Sequence, residues 1–386
     1  MKSIYFAKTK LQLVPAATIL LALAISLSAQ TVTTFDAPGG GTGPGQGTYA
    51  TNINPSGTII GFSRDANNAR HGFVRARDGS FTIFDAPGAG TGPGQGTRAY
   101  TINSSGTITG FFIDSIGAVH GYARSNQGVI TVFDAPGAGT GPFPEGTFPF
   151  SPEIMNPNGA IAGWATDSAF VSHGFLRDKN GAFTTFDVPG AEVGPGTFPF
   201  AISQGGEITG FYDNGINANH GFLRDKKGVI TTFDVPGAGT GPGQGTFGGG
   251  LTPNGNIMGN YIDPDNASHG FLMDRNGVFT TFDAPSAGTG SLQGTFPFGI
   301  NPNGAITGWY TDEANVNHGF VRDKHGELVE FDVPGAGTGP GQGPNVYSIA
   351  PNGTVTGFYL DSANVVHGFV REAHGHASGL QQFSGQ

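Results

Sequence analysis

A chain of 386 residues with 37% hydrophobic content can bury a large core, and its net charge of −10 repels phosphate backbones and excludes nucleic acid as a partner. It has no cysteine, so its stability must come from burial and strand pairing. The 68 Gly and 26 Pro stand at fixed places between apolar, β-favouring runs, which reads as turns between strands and not as a low-complexity tail.

Taken in chain order, residues 1–29 have the build of a secretory signal peptide. Lys2, Lys8 and Lys10 form a basic start, an apolar stretch runs to about Leu27, and Ser26, Ser28 and Ala29 offer a small-residue cleavage point. Its removal takes three of the 18 basic residues and none of the 28 acids, so the net charge moves from −10 to about −13. No later segment is long and apolar enough to span a membrane. The expected localisation is extracellular, periplasmic or at the cell surface, and the expected state is monomeric. The predicted domains are a signal peptide (1–29), a repeat domain (30–373) and a C-terminal tail (374–386).

From Thr31 onward the chain repeats. Phe-Asp pairs occur at Phe35-Asp36, Phe84-Asp85, Phe133-Asp134, Phe186-Asp187, Phe233-Asp234, Phe282-Asp283 and Phe331-Asp332, spaced by 49, 49, 53, 47, 49 and 49. A second marker, His-Gly followed by Phe or Tyr, keeps the same steps. Two markers in register through the uneven 53 and 47 identify a structural repeat.

One unit reads as four short strands, near Phe198–Ile202, Glu207–Tyr212, Gly221–Arg224 and Val229–Phe233. Ser203-Gln204-Gly205-Gly206 and Asp225-Lys226-Lys227-Gly228 are the tight turns between them. The expected fold is all-β, a seven-bladed β-propeller of four-stranded antiparallel blades, with a linear β-solenoid as the alternative. The chain opens on a Phe-Asp strand and its last unit lacks one. Thr31–Asp36 is therefore predicted to pair beside His367–Arg371 and close the ring, with Leu380–Phe383 as a rival closing strand.

The unit INPNGAITGWYTDEANVNHGFVRDKHG resembles the HAF-type extracellular repeats of secreted bacterial proteins, with Asn and Gly in a turn, an apolar-x-Gly strand and a His-led strand. The tripeptide here is His-Gly-Phe, or His-Gly-Tyr at Tyr122, where the family has His-Ala-Phe. The resemblance spans about residues 49–372. It implies an exported repeat protein and lends no reaction and no catalytic residue.

The most prominent candidate site residues are the loop aspartates and the histidines that follow them: Asp65 and His71, Asp114 and His120, Asp167 and His173, Asp213 and His220, Asp263 and His269, Asp312 and His318, Asp361 and His367. Each carboxylate is placed to accept from His Nδ1–H, an arrangement found in catalytic and metal-binding pairs. Sevenfold repetition points instead to a bracket that every unit needs. The oxygen-rich Asp263-Pro264-Asp265-Asn266 makes calcium the one cofactor the loops suggest; no other cofactor is expected.

An Arg follows the His-Gly-Phe strand in six units (Arg75, Arg124, Arg177, Arg224, Arg322, Arg371), with Met273 in the remaining one, and pairing with the Phe-Asp carboxylate is expected. Trp164 and Trp309 stand among the second-strand aromatics as candidate sugar platforms or as packing between units. The long Asp-to-His and Gly-rich loops share one rim, where departures from the repeat also fall, at Phe143-Pro144-Glu145, Phe148–Met155 and Ala191-Glu192-Val193. The sequence points to a secreted, non-catalytic binding or scaffold protein that takes a glycan or protein at that rim. The alternative is an extracellular carbohydrate-active lyase or hydrolase. An enzyme would show a lone acid near the channel.

Overall fold

The computed structural model describes residues 31–191, 194–213, 215 and 218–373. The signal segment, Glu192-Val193, and the tail with Leu380–Phe383 lie outside the described residues. Among the described residues every regular element is a strand, 28 in all, and no helix is long and apolar enough to cross a membrane.

The strands fall into seven antiparallel groups of four. In the fourth unit these are Gly196–Ile202, Ile208–Asp213, His220–Arg224 and Ile230–Phe233, each paired with the next. The two tight turns are where the sequence places them. Gly206 and Gly228 adopt φ of +88° and +91°, a region open to glycine.

The core of each unit is the aromatic after His-Gly. Phe73, Tyr122, Phe175, Phe222, Phe271, Phe320 and Phe369 are all 0% exposed. Burying one such ring is worth about 2–3 kcal/mol. Opposite them on the ladder, the Gly of His-Gly pairs with the Phe of Phe-Asp, as in Gly319↔Phe331. A Cβ at Gly319 would stand 2.6 Å from Cζ of Phe331, inside contact distance. This is the physical reason for His-Gly-Phe in place of His-Ala-Phe.

Units are joined by the first residue of each first strand, always a glycine at φ between +99° and +124°. That glycine meets the third strand of the preceding unit in a parallel bridge, as in Arg70↔Gly96, Ser172↔Gly196 and Ser268↔Gly294. The same bridge joins the two ends of the chain, Val366↔Gly47. The N-terminal strand Val32–Phe35 lies antiparallel to Val366–Arg371, with Val32 opposite Arg371 and Phe35 opposite Gly368. This is the pairing expected of Thr31–Asp36 with His367–Arg371.

The third unit breaks the pattern. Its first strand ends early, at Gly146–Phe148. The segment Ser151-Pro152-Glu153 then accepts hydrogen bonds from the first strands of five other units. The donors are Asn52 Nδ2 to Pro152 O, Thr101 Oγ1 to Ser151 O, Ile202 N to Glu153 O, and the Leu251 and Ile300 amides to the Glu153 carboxylate. Inner strands of separate units converge on one short segment, which plugs the centre of the body.

Candidate binding cleft at the third unit

The repeated His and Asp residues are brought together, with a partner exchange relative to the sequence expectation. His Nδ1 bonds the Asp of Phe-Asp, not the loop Asp. The pairs are His71–Asp85, His120–Asp134, His173–Asp187, His220–Asp234, His269–Asp283, His318–Asp332 and His367–Asp36, at 2.7–3.0 Å to the nearer oxygen. The ladder explains it, because the His and the Phe-Asp strands are paired neighbours. The loop Asp faces Nε2 instead, at 3.3–3.6 Å for Asp65, Asp114, Asp167, Asp263, Asp312 and Asp361.

The other oxygen of the loop Asp is spent on its own backbone. Asp312 Oδ1 accepts from the Ala314 and Val316 amides at 2.8 Å, and Asp65, Asp114, Asp167, Asp263 and Asp361 do the same two and four residues on. Asp213 accepts from the Gly215 amide. A carboxylate that brackets its loop with one oxygen and holds a His with the other is a folding device. Burial pulls the imidazoliums of His71 and His269 down, but the bonds and charges of their two carboxylates outweigh it and raise both pKa values.

The arginines do not pair with the Phe-Asp carboxylates. Each lies over the Phe of the preceding unit's Phe-Asp, as Arg124 over Phe84 at 4.8 Å and Arg75 over Phe35 at 4.6 Å. Nor does either tryptophan offer an open face. Trp164 is stacked between Phe148 and Phe200, and Trp309 between Phe296 and Tyr347. Both belong to an aromatic wall of first- and second-strand residues, with only ring edges left for a ligand.

The third unit lacks a clasp that four other units carry on the loop rim. In the first, second, fifth, sixth and seventh units a Gln at the end of the Gly-rich loop accepts a backbone N–H with Oε1 and donates with Nε2 across to the Asp-to-His loop. In the second, Gln95 reaches only the Ser115 carbonyl, since Gly117 stands where the others have Asn, and the fourth has Pro195 in place of Gln. Gln46, Gln244, Gln293 and Gln342 reach the side-chain oxygens of Asn68, Asn266, Asn315 and Asn364 at 3.0–3.1 Å. Those asparagines adopt φ of +61° to +65°.

In the third unit both partners are replaced, by Glu145 and Phe170. Glu145 accepts from the Gly141 amide at 2.8 Å and has no N–H with which to cross the gap. Phe170 holds φ of +63° and is 57% exposed; a bulky side chain in this left-handed region is strained, and such strain gathers at functional positions.

A cleft of about 390 Å³ opens here. Phe143, Phe148, Phe150, Trp164, Phe170 and Phe198 line it with Pro144 and Pro195. Phe143 is 63% exposed. Thr166 and Ser172, the hydroxyls in the lining, bond each other at 2.9 Å. The cleft is of ligand size and presents ring faces and edges with few free donors. It lies at the insertion singled out in the sequence. The clasp was not recognised there, although alignment of the units by column shows Glu145 and Phe170, along with Pro195 and Gly117, as departures from Gln and Asn.

A second feature escaped the sequence reading: the lone acid at the centre. Glu153 Oε1 accepts from the Ile300 amide at 2.8 Å and Oε2 from the Leu251 amide at 3.2 Å. Burial pushes its carboxyl up to about 7, against the pull of those two amides. The residue is half-buried, and both its oxygens are occupied by backbone amides, which sets it apart from the free acid an enzyme would present. Its only signal in the sequence is an acid inside an insertion.

No family model matches the chain, and no curated protein matches it in sequence. Among solved structures it is similar to one of a study of two prolyl endopeptidases, with a TM-score of 0.50 and 10% identity over 89% of this chain and 50% of that one. A puromycin hydrolase S511A mutant gives a TM-score of 0.49 at 12% identity, over 83% of this chain and 53% of that one. A fungal lectin from Aleuria aurantia with a six-bladed β-propeller fold and a novel fucose recognition mode gives 0.41 at 14%, over 70% and 89%. The chain spans about half the length of the hydrolase and endopeptidase chains. At these identities the likeness speaks to fold alone. The four-stranded antiparallel units, each joined to the next, themselves give a repeated, all-β architecture of the β-propeller type.

Proposed function

We propose that this chain is a secreted, non-catalytic binding protein, a seven-bladed propeller closed by Val32–Phe35, which holds an apolar side chain of a protein partner in the cleft of the third unit. Closure is supported by contacts at the chain ends that repeat those between internal units. His367 bonds Asp36, Arg75 covers Phe35, and Gly47 bridges Val366. A linear solenoid has no use for these three pairs. Export rests on the build of residues 1–29 and on the resemblance to HAF-type repeats.

The observation that carries the binding reading is the replacement of the Gln–Asn clasp by Glu145 and the exposed, strained Phe170 beside Phe143. The second and fourth units also lack one partner of the clasp, at Gly117 and Pro195, but among the described residues only the third puts exposed rings, Phe143 and Phe170, in its place. The chemistry of the lining favours a protein over a glycan. Sugar hydroxyls need polar partners when they lose water, and the cleft's own hydroxyls are already paired with each other.

The test uses the chain from residue 31 on a peptide array and a glycan array, followed by affinity measurement on the hits. Peptides with apolar anchors should bind, and F143A/F170A should weaken them about tenfold. E145Q/F170N should restore the clasp, close the cleft and abolish binding. Hits confined to glycans, or unchanged affinity in both variants, would overturn the reading.

A further inference from the structure

Six of the seven junctions between units contain the same cation. The Arg that ends the third strand places its guanidinium 4.3–4.9 Å from the ring centroid of a Phe-Asp phenylalanine. In four of them Nη1 also donates to the next residue's carbonyl, as from Arg224 to Asp225 O at 3.4 Å and from Arg322 to Asp323 O at 3.4 Å. Nη2 then lies against the turn glycine. A Cβ at Gly228 or Gly326 would meet it at 3.2 or 3.1 Å.

At the junction of the fourth and fifth units the Arg is absent. Met273 takes its place and packs with Phe233 and Phe279. It is shorter and has no donor. The space a guanidinium fills elsewhere is open, since nothing lies within 4 Å of a Cβ at Gly277. A cleft of about 550 Å³ occupies this junction, on the rim of tight turns opposite the aromatic cleft.

A second departure from the repeat meets the first. The residue just before the second strand is Thr58, Thr107, Ala160, Asn256, Ala305 or Thr354 in the other units, and Glu207 in the fourth. Glu207 lines this same cleft. It accepts from Ser203 Oγ at 3.4 Å and forms no ion pair among the described residues. Arg275 also lines the cleft, but its side chain lies against Gly255. One unit has lost its cation, and the unit before it has gained an acid facing the vacancy.

We propose that this cleft binds a guanidinium group supplied from outside the chain. The group stacks on Phe233 and Phe279, pairs with Glu207 and donates to the Asp274 carbonyl. The chain's six internal arginines are the template for its pose. Guanidinium suits the place better than ammonium because its plane can lie on a ring while its edge donates.

Saturation-transfer NMR and calorimetry with three probes test this: free arginine, capped Gly-Arg-Gly and capped Gly-Lys-Gly. Capped Gly-Arg-Gly should bind saturably and Gly-Lys-Gly more weakly. If free arginine binds equally, the group can come from a metabolite; if only the peptide binds, it comes from a protein side chain. M273R should fill the cleft from within and weaken the Arg probe at least about tenfold, while melting at or above the wild-type temperature. E207Q should weaken it in the same direction with the fold unchanged. No saturable binding to wild type, unchanged binding to M273R, or equal affinity for the Lys peptide would overturn the proposal.

Discussion

Replacing Glu153 by Gln isolates the most perturbed carboxyl at the centre of the protein. Burial holds this group at about 7 against an ordinary 4.5. The folded state therefore prefers the neutral acid. Its contribution to stability is complete below pH 4.5 and is lost as the pH rises through about 7. At about 1.4 kcal/mol for each decade of proton affinity, the loss approaches about 3 kcal/mol.

Gln is neutral at every pH and keeps the shape. Its one oxygen can accept from the Ile300 or the Leu251 amide, but its NH2 cannot accept from the other, so the variant carries a cost of about 1–3 kcal/mol that does not change with pH. E153Q should then be less stable than wild type at pH 4.5 by that fixed cost. Between pH 4.5 and 8 the variant should gain on wild type by up to about 3 kcal/mol. With an unfolding entropy of about 2.1 cal/mol/K per residue, a body of this size melts about 1.5 °C higher per kcal/mol, so the gain in Tm is about 4 °C. Calorimetric scans of both proteins from pH 4.5 to 8 read the difference, and the repeated His and Asp groups cancel in it. A difference that stays flat across that range would refute the argument that the plug holds an uncompensated charge.

Two further predictions concern the repeat contacts. Deleting residues 31–36 strips the last unit of its fourth strand, uncovers Gly368 and Arg75, and leaves Val366–Arg371 as an open edge. The loss should be about 5 kcal/mol or more, seen as a Tm lower by about 7 °C and as aggregation through the edge; an unchanged melt would remove the case for ring closure. D283N takes from His269 the carboxylate bonded to Nδ1. The NMR titration of His269 should move down from its raised value, and the stability that His269 supplies below about pH 6.5, lost as pH rises through its folded pKa, should shrink; an unmoved titration would mean that Asp263 alone sets it.

The strand plan was legible because it rests on local chemistry repeated seven times. A Pro or Gly turn, a β-branched run and a buried aromatic recur at one spacing, so each unit confirms the others. Partner choice was less legible. From spacing alone, the Asp six residues before a His looked like the partner of Nδ1. The ladder gives Nδ1 to the Asp of the next strand, fourteen residues on, because paired strands are neighbours at any sequence distance. Arg322 was likewise expected on a carboxylate and lies on the ring of Phe282 in the previous unit, a contact that no single unit contains. Glu153 was invisible for a stronger reason. Its partners, Leu251 and Ile300, come from two other units, and only the assembled body brings their amides to one point.

The departures from repetition divide by what they cost. Replacing Gln and Asn by Glu145 and Phe170 gives up two hydrogen bonds and accepts a strained φ, with no compensating contact inside the chain. Replacing Arg by Met273 gives up a stacked cation, and Glu207 then adds an acid with no ion-pair partner. A repeat that drifted without constraint would lose such contacts at random among seven units and would not pair them. Here each pair of losses falls in one cleft, on opposite rims. The Arg contact is kept by all six other units, and the Gln–Asn clasp by four, with the second and fourth having lost one partner without gaining an exposed ring. The lost interactions leave surface whose chemistry is defined: rings without polar partners in one cleft, rings and a carboxylate in the other. The pairing of losses, more than the existence of either cleft, is why each is read as a place for a partner.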